Sequence, residues 1–451
     1  MSRIFVALAI LSLVTTAASA DTPKVVSLSG TPEQIGTRWG EFNRDAITRD
    51  MKEIYLEPAA QAGLSREQLL ERTAFSLRIM KEIAPHWVDE FRATARAAGV
   101  DEELYLAYVD GQVRKRFLHE CTSYAVSREF AEQGAILFHK NRDNVDRPQA
   151  AAIIESTLPG IHKFIVISDA SRITCSMMVN DQGLAGAADY PADRKKDSSN
   201  LTLPPSEPRY RGLMSDAILR HIAERAATSQ EALAILEQMV AQGYFAGGEV
   251  NGNHWLFVDR HGTMIEVCNN SRHVVSQVHR QKAYFSRLNK SEAAKRLRSH
   301  QQPIDFHTFH NISRDPSICF ASSISGMTVE IDPDHPDLLT CAWIALPARS
   351  VAFPIWMGQT RMPMELVNGE SHQAAKKNSQ PAPHWEELEQ ELHAQKEQLK
   401  QEIQSSIEAG NPRAACVDQI ESWSLAQAKR LTDALKTPAA SSTQTVSHAA
   451  P

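Results

Sequence analysis

The chain has 451 residues, of which 23% are charged, and a formal net charge of −6 at pH 7. This length permits one large domain or two, and the modest charge argues against nucleic acid or another polyanion as a partner. The six cysteines are scattered without a Cys-x-x-Cys pair, which argues against a disulfide scaffold and the common structural zinc motifs. We expect mostly buried free thiols.

The first twenty residues have the pattern of a signal peptide. Arg3 precedes an apolar run over residues 4–14, and Ala18-Ser19-Ala20 fits a signal-peptidase site. The run is too short to span a membrane, and no cysteine follows it to carry a lipid. We therefore expect cleavage after Ala20, no membrane span, and a periplasmic or secreted protein.

Residues 21–120 are predicted to be a helical segment. Thr31 and Ser65 each begin a capping box with a glutamine three residues later, and apolar residues then recur at helical spacing. A further helix is expected over residues 86–98. A short strand at residues 25–29 precedes these helices.

The remainder of the chain alternates between strands and helices. The predicted strands are 124–126, 135–138, 163–168, 172–178, 184–188, 255–258, 263–268, 273–278, 326–331 and 338–344, and the predicted helices are 213–227, 230–242 (capped by Ser229) and 290–298. Helices, strands, helices and strands in this order indicate an α+β fold with two sheets and helices outside them.

The composition changes beyond residue 358. Residues 369–383 are polar and predict a linker, and residues 384–436 predict a helical hairpin interrupted at Gly410-Asn411-Pro412. The hairpin either packs on its own subunit or forms an arm for homo-oligomerisation. Residues 437–451 are rich in Ala, Ser and Thr and predict a disordered tail.

The segment from Glu120 to Asn144 predicts a β-hairpin around which the chain is organised. Two short apolar runs are separated by polar residues and Gly134. Cys121 opens the first strand and Asp143 lies just past the second, so the hairpin should bring the thiol close to residues 140–143. These residues suggest a nucleophile with charged groups around it.

This hairpin resembles the nucleophile hairpin of the N-terminal nucleophile (Ntn) hydrolases. It is particularly similar to that of the acyl-coenzyme A:6-aminopenicillanic acid acyltransferase family (peptidase family C45 type) and its relatives, the choloylglycine hydrolases and penicillin V acylases. The family strand opens with Cys-Thr, as Cys121-Thr122 does, and the hairpin closes with a Gly-to-Asp run that matches Gly134 to Asp143 except at His139.

The resemblance covers residues 25 to about 358 and implies an αββα four-layer sandwich. Its Ntn core would span residues 121–358, with residues 21–120 as the small subunit after self-cleavage and the helical hairpin as an addition. The cysteine of the family is exposed by cleavage of the bond before it. Here that bond is Glu120–Cys121, where the family often has glycine in place of Glu120.

The resemblance also implies catalytic roles on the hairpin. Cys121 would attack the carbonyl, with its new α-amine as the base, and Asp143 would hold that amine. Lys140 occupies the position where bile-salt hydrolases carry arginine and would lower the pKa of the thiol. The alternatives are a buried structural cysteine, a turn aspartate and a solvated lysine. His119, His139 and His254 are rival candidates for the base.

Three further residues follow from the resemblance. Asp189, through its backbone N–H, and Asn289, through its side-chain amide, would form the oxyanion hole. Arg296 falls where the family has a structural or catalytic arginine. A helix-capping role for Asn289 and an exposed position for Arg296 are the alternatives.

The sequence thus predicts an exported, self-processing enzyme that hydrolyses a linear amide of a small molecule through an acyl-thioester. The alternatives are acyl transfer to an amine or coenzyme A, and a non-catalytic envelope protein that retains the fold. No P-loop or Rossmann pattern occurs, and His307 and His310 lack an acidic third ligand, so neither a cofactor nor a metal is expected. Selectivity would lie in the loops at residues 190–211 and 243–253.

Overall fold

The computed structural model describes residues 23–110, 121–144, 147–189, 212–245, 253–377 and 383–436. The expected signal peptide with Ala20, Glu120, the loop at 190–211, residues 246–252 of the second loop and the tail all lie outside these ranges. Within them, no helix combines the length and the apolar character needed to cross a membrane.

The segment before the hairpin that begins at Cys121 is helical, as predicted. Its helices are α1 (Pro32–Phe42), α2 (Arg44–Asp50), α3 (Glu57–Gln61), α4 (Arg66–Ile83), α5 (Pro85–Ala98) and α6 (Glu102–Asp110), with a π-helical stretch at Met51–Leu56. Both predicted capping boxes, at Thr31 and Ser65, are formed. Gly99 ends α5 with a φ of 78°, a left-handed conformation that favours glycine.

The first sheet, sheet A, has eight strands in the order β1-β4-β5-β6-β7-β8-β9-β10. Their bounds are β1 (Lys24–Gly30), β4 (Gln149–Ser156), β5 (Phe164–Asp169), β6 (Met177–Asn180), β7 (Ala185–Asp189), β8 (Asn253–Val258), β9 (Met264–Asn269) and β10 (Val274–His279). β1 pairs with β4 in parallel, and the other neighbours are antiparallel.

The second sheet, sheet B, contains at its centre the hairpin that begins at Cys121. It is antiparallel, in the order β11-β2-β3-β12-β13-β14. Its strands are β2 (Thr122–Val126), β3 (Ile136–Asp143), β11 (Ala283–Phe285), β12 (Ser323–Ile331), β13 (Cys341–Ala345) and β14 (Phe353–Trp356).

The two sheets stack face to face, with helices on their outer faces. Along β5, Ile165 and Ile167 belong to the core shared with sheet B, whereas Phe164 and Val166 belong to the core beneath helices α1 to α6. Because successive strand residues point to opposite faces, this division defines two separate apolar layers on either side of sheet A. The predicted α+β fold, with the layer order helix, sheet, sheet, helix, is confirmed.

The remaining helices complete the outer layers. They are α7 (Ser215–Arg225), α8 (Ser229–Ala241), α9 (Glu292–Ser299), α10 (Phe306–Ile312), α11 (Pro336–Leu339), α12 (Met364–Val367), α13 (Glu370–Lys377), α14 (Pro383–Glu408) and α15 (Arg413–Lys436). α7 and α8 join the core on the outer face of sheet A, whereas residues of α9, α10, α14 and α15 join the core that includes sheet B.

The C-terminal helices α14 and α15 pack on their own chain. Glu389 of α14 pairs with Arg314 (2.5 Å), and Lys396 pairs with Glu330 on β12 (2.9 Å). Glu421 of α15 is buried and accepts a hydrogen bond from the backbone N–H of Thr360 (2.9 Å). Of the two arrangements considered from the sequence, packing on the same subunit is the one seen.

Several element boundaries differ from the sequence predictions. Residues 172–176 form a buried turn rather than the beginning of a strand, because the Ser168 hydroxyl bonds to the Arg172 carbonyl (2.8 Å) and so closes the loop. The predicted linker at 369–383 contains α13. The N-cap of α8 is Thr228, whose side chain accepts from the Glu231 N–H, and not Ser229.

Candidate active site

Cys121 lies directly before β2, at one end of the central hairpin of sheet B, and is 5% exposed. β2 and β3 pair Thr122 with Asn141 and Ser123 with Lys140. Extending this register by one residue places Cys121 opposite Arg142. Cross-strand partners share a face, so the thiol lies on the same face as Lys140 and Arg142.

Lys140 extends from sheet B to sheet A. Its buried ammonium donates to the carbonyls of Ser176 (3.0 Å) and Ala188 (2.5 Å) and lies 3.3 Å from Oδ1 of Asp189. A solvated lysine at the end of a strand was the alternative interpretation of Lys140 from the sequence. β3 instead runs through to Asp143, and Lys140 is an interior strand residue whose ammonium bonds to β7 and to the turn before β6.

Asp189 ends β7 and is fully buried. One carboxylate oxygen accepts a short hydrogen bond from the Ser286 hydroxyl, and the other faces the Lys140 ammonium. The ion pair compensates the negative charge that an aspartate brings to this position. The structure thus brings Asp189 and Lys140 together from opposite sheets, as an adjacent pair of opposite charges.

Asp143 lies at the end of β3 and is also buried. The Ser323 hydroxyl of β12 donates a short hydrogen bond to its Oδ1. The backbone N–H of Asp143 interacts with the Cys121 thiol, so the end of β3 lies beside this thiol, as the predicted hairpin required. The hydrogen bond from Ser323 gives the Asp143 carboxylate a defined orientation beside Cys121.

The pKa of the Cys121 thiol is raised, mainly by burial. Lys140 lowers it, the carboxylates of Asp189 and Asp143 raise it, and the hydrogen bond with the Asp143 backbone lowers it. The thiol is therefore protonated at neutral pH. The thiolate is the nucleophilic form of a cysteine, so attack by this thiol on a carbonyl would require a base inside the site.

His139, a rival candidate for that base, points to the other face of β3. Its Nδ1 lies 2.8 Å from the Thr328 hydroxyl and its Nε2 2.9 Å from Oδ1 of Asn141. Burial lowers the pKa of His139 to about 3. Both ring nitrogens are thus engaged away from Cys121. His119, the other flanking histidine, lies outside the described residues.

Arg142 is a charged residue beside Cys121 to which the sequence assigned no role. Its buried guanidinium donates to Gln149 (2.7 Å) and to Asp169 (2.7 Å), both in sheet A. The pKa of Arg142 is raised: burial lowers it, but Asp169, Asp216 and the Cys121 thiolate together raise it by more. The sequence could have indicated this position, because Arg142 is two residues after Lys140 on β3 and therefore shares its face.

Ser286 is a second residue that the sequence reasoning missed. It directly follows β11, and its hydroxyl contacts both the Asp189 carboxylate and the backbone of Ser123 on β2. β11 has only three residues and was not predicted from the sequence. Without that strand, the residue that enters the site from this segment could not be identified.

The structure does not bring Asn289 and Arg296 to the site. Asn289 is exposed, and its backbone carbonyl accepts from Arg298 (2.8 Å), as does its side-chain oxygen. Arg296 is 61% exposed and pairs with Asp315 (2.7 Å). Leu288, with a φ of 53°, turns the chain away from β11 before Asn289. The sequence-based placement of the second oxyanion donor three residues beyond Ser286 therefore does not fit this geometry.

Comparison with known proteins gave matches among solved structures alone. No family model matches the chain, and no curated protein does. Penicillin V acylase from Agrobacterium tumefaciens is similar at 15% identity and a TM-score of 0.35, with 54% of this chain and 87% of that chain covered.

Two further solved structures are similar at the same level. An N-acylethanolamine-hydrolyzing acid amidase ortholog from Caenorhabditis elegans matches at 10% identity and a TM-score of 0.36, with 48% of this chain and 94% of that one covered. A variant of the conjugated bile acid hydrolase from Clostridium perfringens matches at 11% identity and a TM-score of 0.36, covering 52% and 92%. Scores this low carry no argument about function, which depends on the site itself.

Proposed function

We propose that this protein is an exported, self-processing amide hydrolase of the Ntn type, in which Cys121 is the nucleophile. The observation that supports it is the position of the thiol: a buried cysteine at the end of the central hairpin, between two sheets, beside the buried Lys140–Asp189 pair and Asp143. The hairpin end thus brings a thiol, an ammonium and two carboxylates together, which are the kinds of groups that nucleophilic acyl chemistry uses.

The raised pKa of the thiol explains why a free α-amine is needed. The charged groups that act most strongly on the Cys121 thiol are Lys140, Asp189 and Asp143, and Arg142 interacts with its thiolate. Of the candidate histidine bases, His139 is bonded on the other face of β3, and Nδ1 of His254 lies 3.4 Å from the carbonyl oxygen of Ser286. An α-amino group has a pKa of about 7.7–8.0 and would be carried by Cys121 itself. It can take the thiol proton and deliver it to the leaving amine, provided that the Glu120–Cys121 bond has been cut.

The chemical steps then follow from the charges around the thiol. The sulfur attacks the amide carbonyl, and the negative charge on the oxygen is stabilised by N–H donors, for which we propose the backbone of Asp189 as one. One such donor contributes about 10²–10³ in rate. The carbon–nitrogen bond breaks as the amine takes the proton, and the α-amine then activates water to hydrolyse the thioester. Asp143 holds the α-amine in place.

The signal sequence would send the chain out of the cytoplasm, and coenzyme A is scarce there. Hydrolysis is therefore favoured over acyl transfer to coenzyme A. The acyl group and the amine are to be found by assay. A panel of N-acyl amides with different acyl lengths and different amines, followed by mass spectrometry of the released acid and amine, separates hydrolysis from transfer. Adding a second amine as an acceptor would give a new amide if the enzyme transfers its acyl group.

The proposal is tested by the covalent state of the active protein. Purified wild-type protein should run as two fragments on a denaturing gel, and N-terminal sequencing should find Asp21 and Cys121. Cys121→Ala should give one uncut, inactive chain, and Cys121→Ser should cut slowly because a hydroxyl can make the same acyl shift. Cys416→Ala, which changes a buried thiol on α15, is the matched control and should cut and turn over normally.

Two outcomes would contradict the proposal. An active protein with Glu120 still joined to Cys121 would exclude the Ntn mechanism and favour an ordinary base at the site. A single inactive chain that stays folded and binds no amide would instead support the alternative of a non-catalytic envelope protein.

A further inference from the structure

A second cluster of reactive side chains lies on β8 and β9, the two strands that follow β7 in sheet A. His254 pairs with Cys268 across the two strands, and Glu266 is two residues before Cys268 on the same face. One ligand atom from each of the three lies within 4.8 Å of the other two. Nitrogen, oxygen and sulfur donors of this kind form tetrahedral zinc sites, in which ligand atoms are roughly 3.3–3.8 Å apart. Small side-chain rotations would bring the three donor atoms to the shorter spacing of a zinc site.

Neighbouring groups orient two of these three side chains. Nδ1 of His254 lies 3.4 Å from the carbonyl oxygen of Ser286, which leaves Nε2 with the lone pair if Nδ1 carries the proton. Oε2 of Glu266 lies 3.1 Å from Nε2 of His279, and Oε1 faces the Cys268 sulfur at 3.6 Å. Metal-binding histidines and carboxylates are commonly fixed by outer hydrogen bonds of this type.

The charges also suit a divalent cation. A thiolate from Cys268 and the carboxylate of Glu266 balance two positive charges, and His254 is a neutral donor. The other candidate group in the described chain, Glu330 with His393 and Glu397, does not fit. There the Lys396 ammonium pairs with both glutamates and already occupies the position of a cation.

We propose that His254, Glu266 and Cys268 bind one zinc-class divalent cation, with the fourth position open to water or to a ligand. All three side chains are partly exposed, which gives the ion a path from solvent. The cation would lie beside the candidate active site, since His254 is the cross-strand partner of Asp189. Loss of the thiol proton from Cys268 accompanies binding, so one proton is released for each ion bound.

Metal binding by the full-length protein tests this site independently of catalysis. After treatment with a chelator, wild-type protein should bind one Zn²⁺ by calorimetry, and Co²⁺ should give the near-ultraviolet absorption of a thiolate-to-cobalt bond. Cys268→Ser should remove that absorption, and both Cys268→Ser and His254→Gln should weaken Zn²⁺ binding by at least about 100-fold. His279→Gln should weaken it by about 10–100-fold, as for an outer hydrogen-bond partner.

Two controls identify where the ion is held. Cys121→Ala removes the nearby thiol of the candidate active site, and His393→Gln changes the other histidine–glutamate cluster; both should keep full Zn²⁺ binding and the cobalt absorption. Thermal melting without metal shows whether each variant is folded, and added Zn²⁺ should raise the melting temperature of the wild type but not of Cys268→Ser. Absence of saturable binding, or loss of the cobalt absorption in Cys121→Ala but not in Cys268→Ser, would overturn the proposal.

Discussion

Replacing Lys140 by methionine isolates the buried ion pair on which the site geometry depends. The ammonium lies 3.3 Å from Asp189 and donates to the carbonyls of Ser176 and Ala188. Its removal leaves a buried carboxylate without a compensating charge, which typically costs about 3–5 kcal/mol of folding free energy. We expect the upper part of this range because two carbonyls lose a donor as well.

A double-mutant cycle gives the coupling between the two charges. Lys140→Met, Asp189→Asn and the double variant are made in the uncut Cys121→Ala protein, and urea unfolding is measured for each. The single changes should each cost several kcal/mol and, for a chain of this length, lower the melting temperature by roughly 4–6 °C. The double variant should be at least about 2 kcal/mol more stable than the sum of the single effects predicts.

The exposed pair between Lys429 and Asp433 on α15 is the matched control. Lys429→Met should leave the urea midpoint unchanged, because both side chains are in solvent. Additive single effects, within about 0.5 kcal/mol, would refute the reasoning. They would show that Lys140 and Asp189 do not interact in the folded protein, and that their proximity does not establish the electrostatics of the site.

Two further predictions concern other residues. Asn289→Ala should change turnover by less than about threefold, since Asn289 is exposed and bonded to Arg298; a loss of about 10²–10³ would show that it is an oxyanion donor after all. Burial raises the pKa of Glu224, but Arg220 and hydrogen bonds from His86 and Trp87 lower it to about 2, against an ordinary 4.5. The ionised Glu224 carboxylate therefore stabilises the fold above pH 4.5, and this contribution is lost as the pH falls toward 2. Between these pH values the free energy of unfolding of the wild type should fall by about 3 kcal/mol more than that of Glu224→Gln. An unchanged acid dependence would contradict this assignment.

The part of the site that the sequence predicted is the part that is local. Cys121, Lys140 and Asp143 lie on one hairpin, whose pairing brings its outer ends together whatever the rest of the chain does. Asp189 arrives from the other sheet, and only the family resemblance pointed to it. Asn289 was placed by matching a weakened motif, and the three-residue strand that directs this segment has too little pattern to be recognised.

The sequence predicted the layered α+β architecture, but it did not predict every strand. β4 was missed because Ala150, Ala151 and Ala152 have little β-propensity, and the strand forms through its pairing with β1 and β5. β9 and β8 were predicted, but not that their register would set His254 opposite Cys268. A search for Cys-x-x-Cys spacing cannot find donors that come from neighbouring strands.

The parallel pairing of β1 with β4 has a consequence for any protein cut between Asp110 and Cys121. β1 precedes such a cut and β4 follows it, so sheet A would be assembled from two polypeptides, with Val25 of one fragment beside Ala151 of the other. The first fragment would then complete the sheet of the second by supplying its edge strand. Dissociation would leave the backbone of β4 open to pairing with any extended peptide, including another copy of itself. The fragments should therefore refold only when mixed, and the second alone should aggregate.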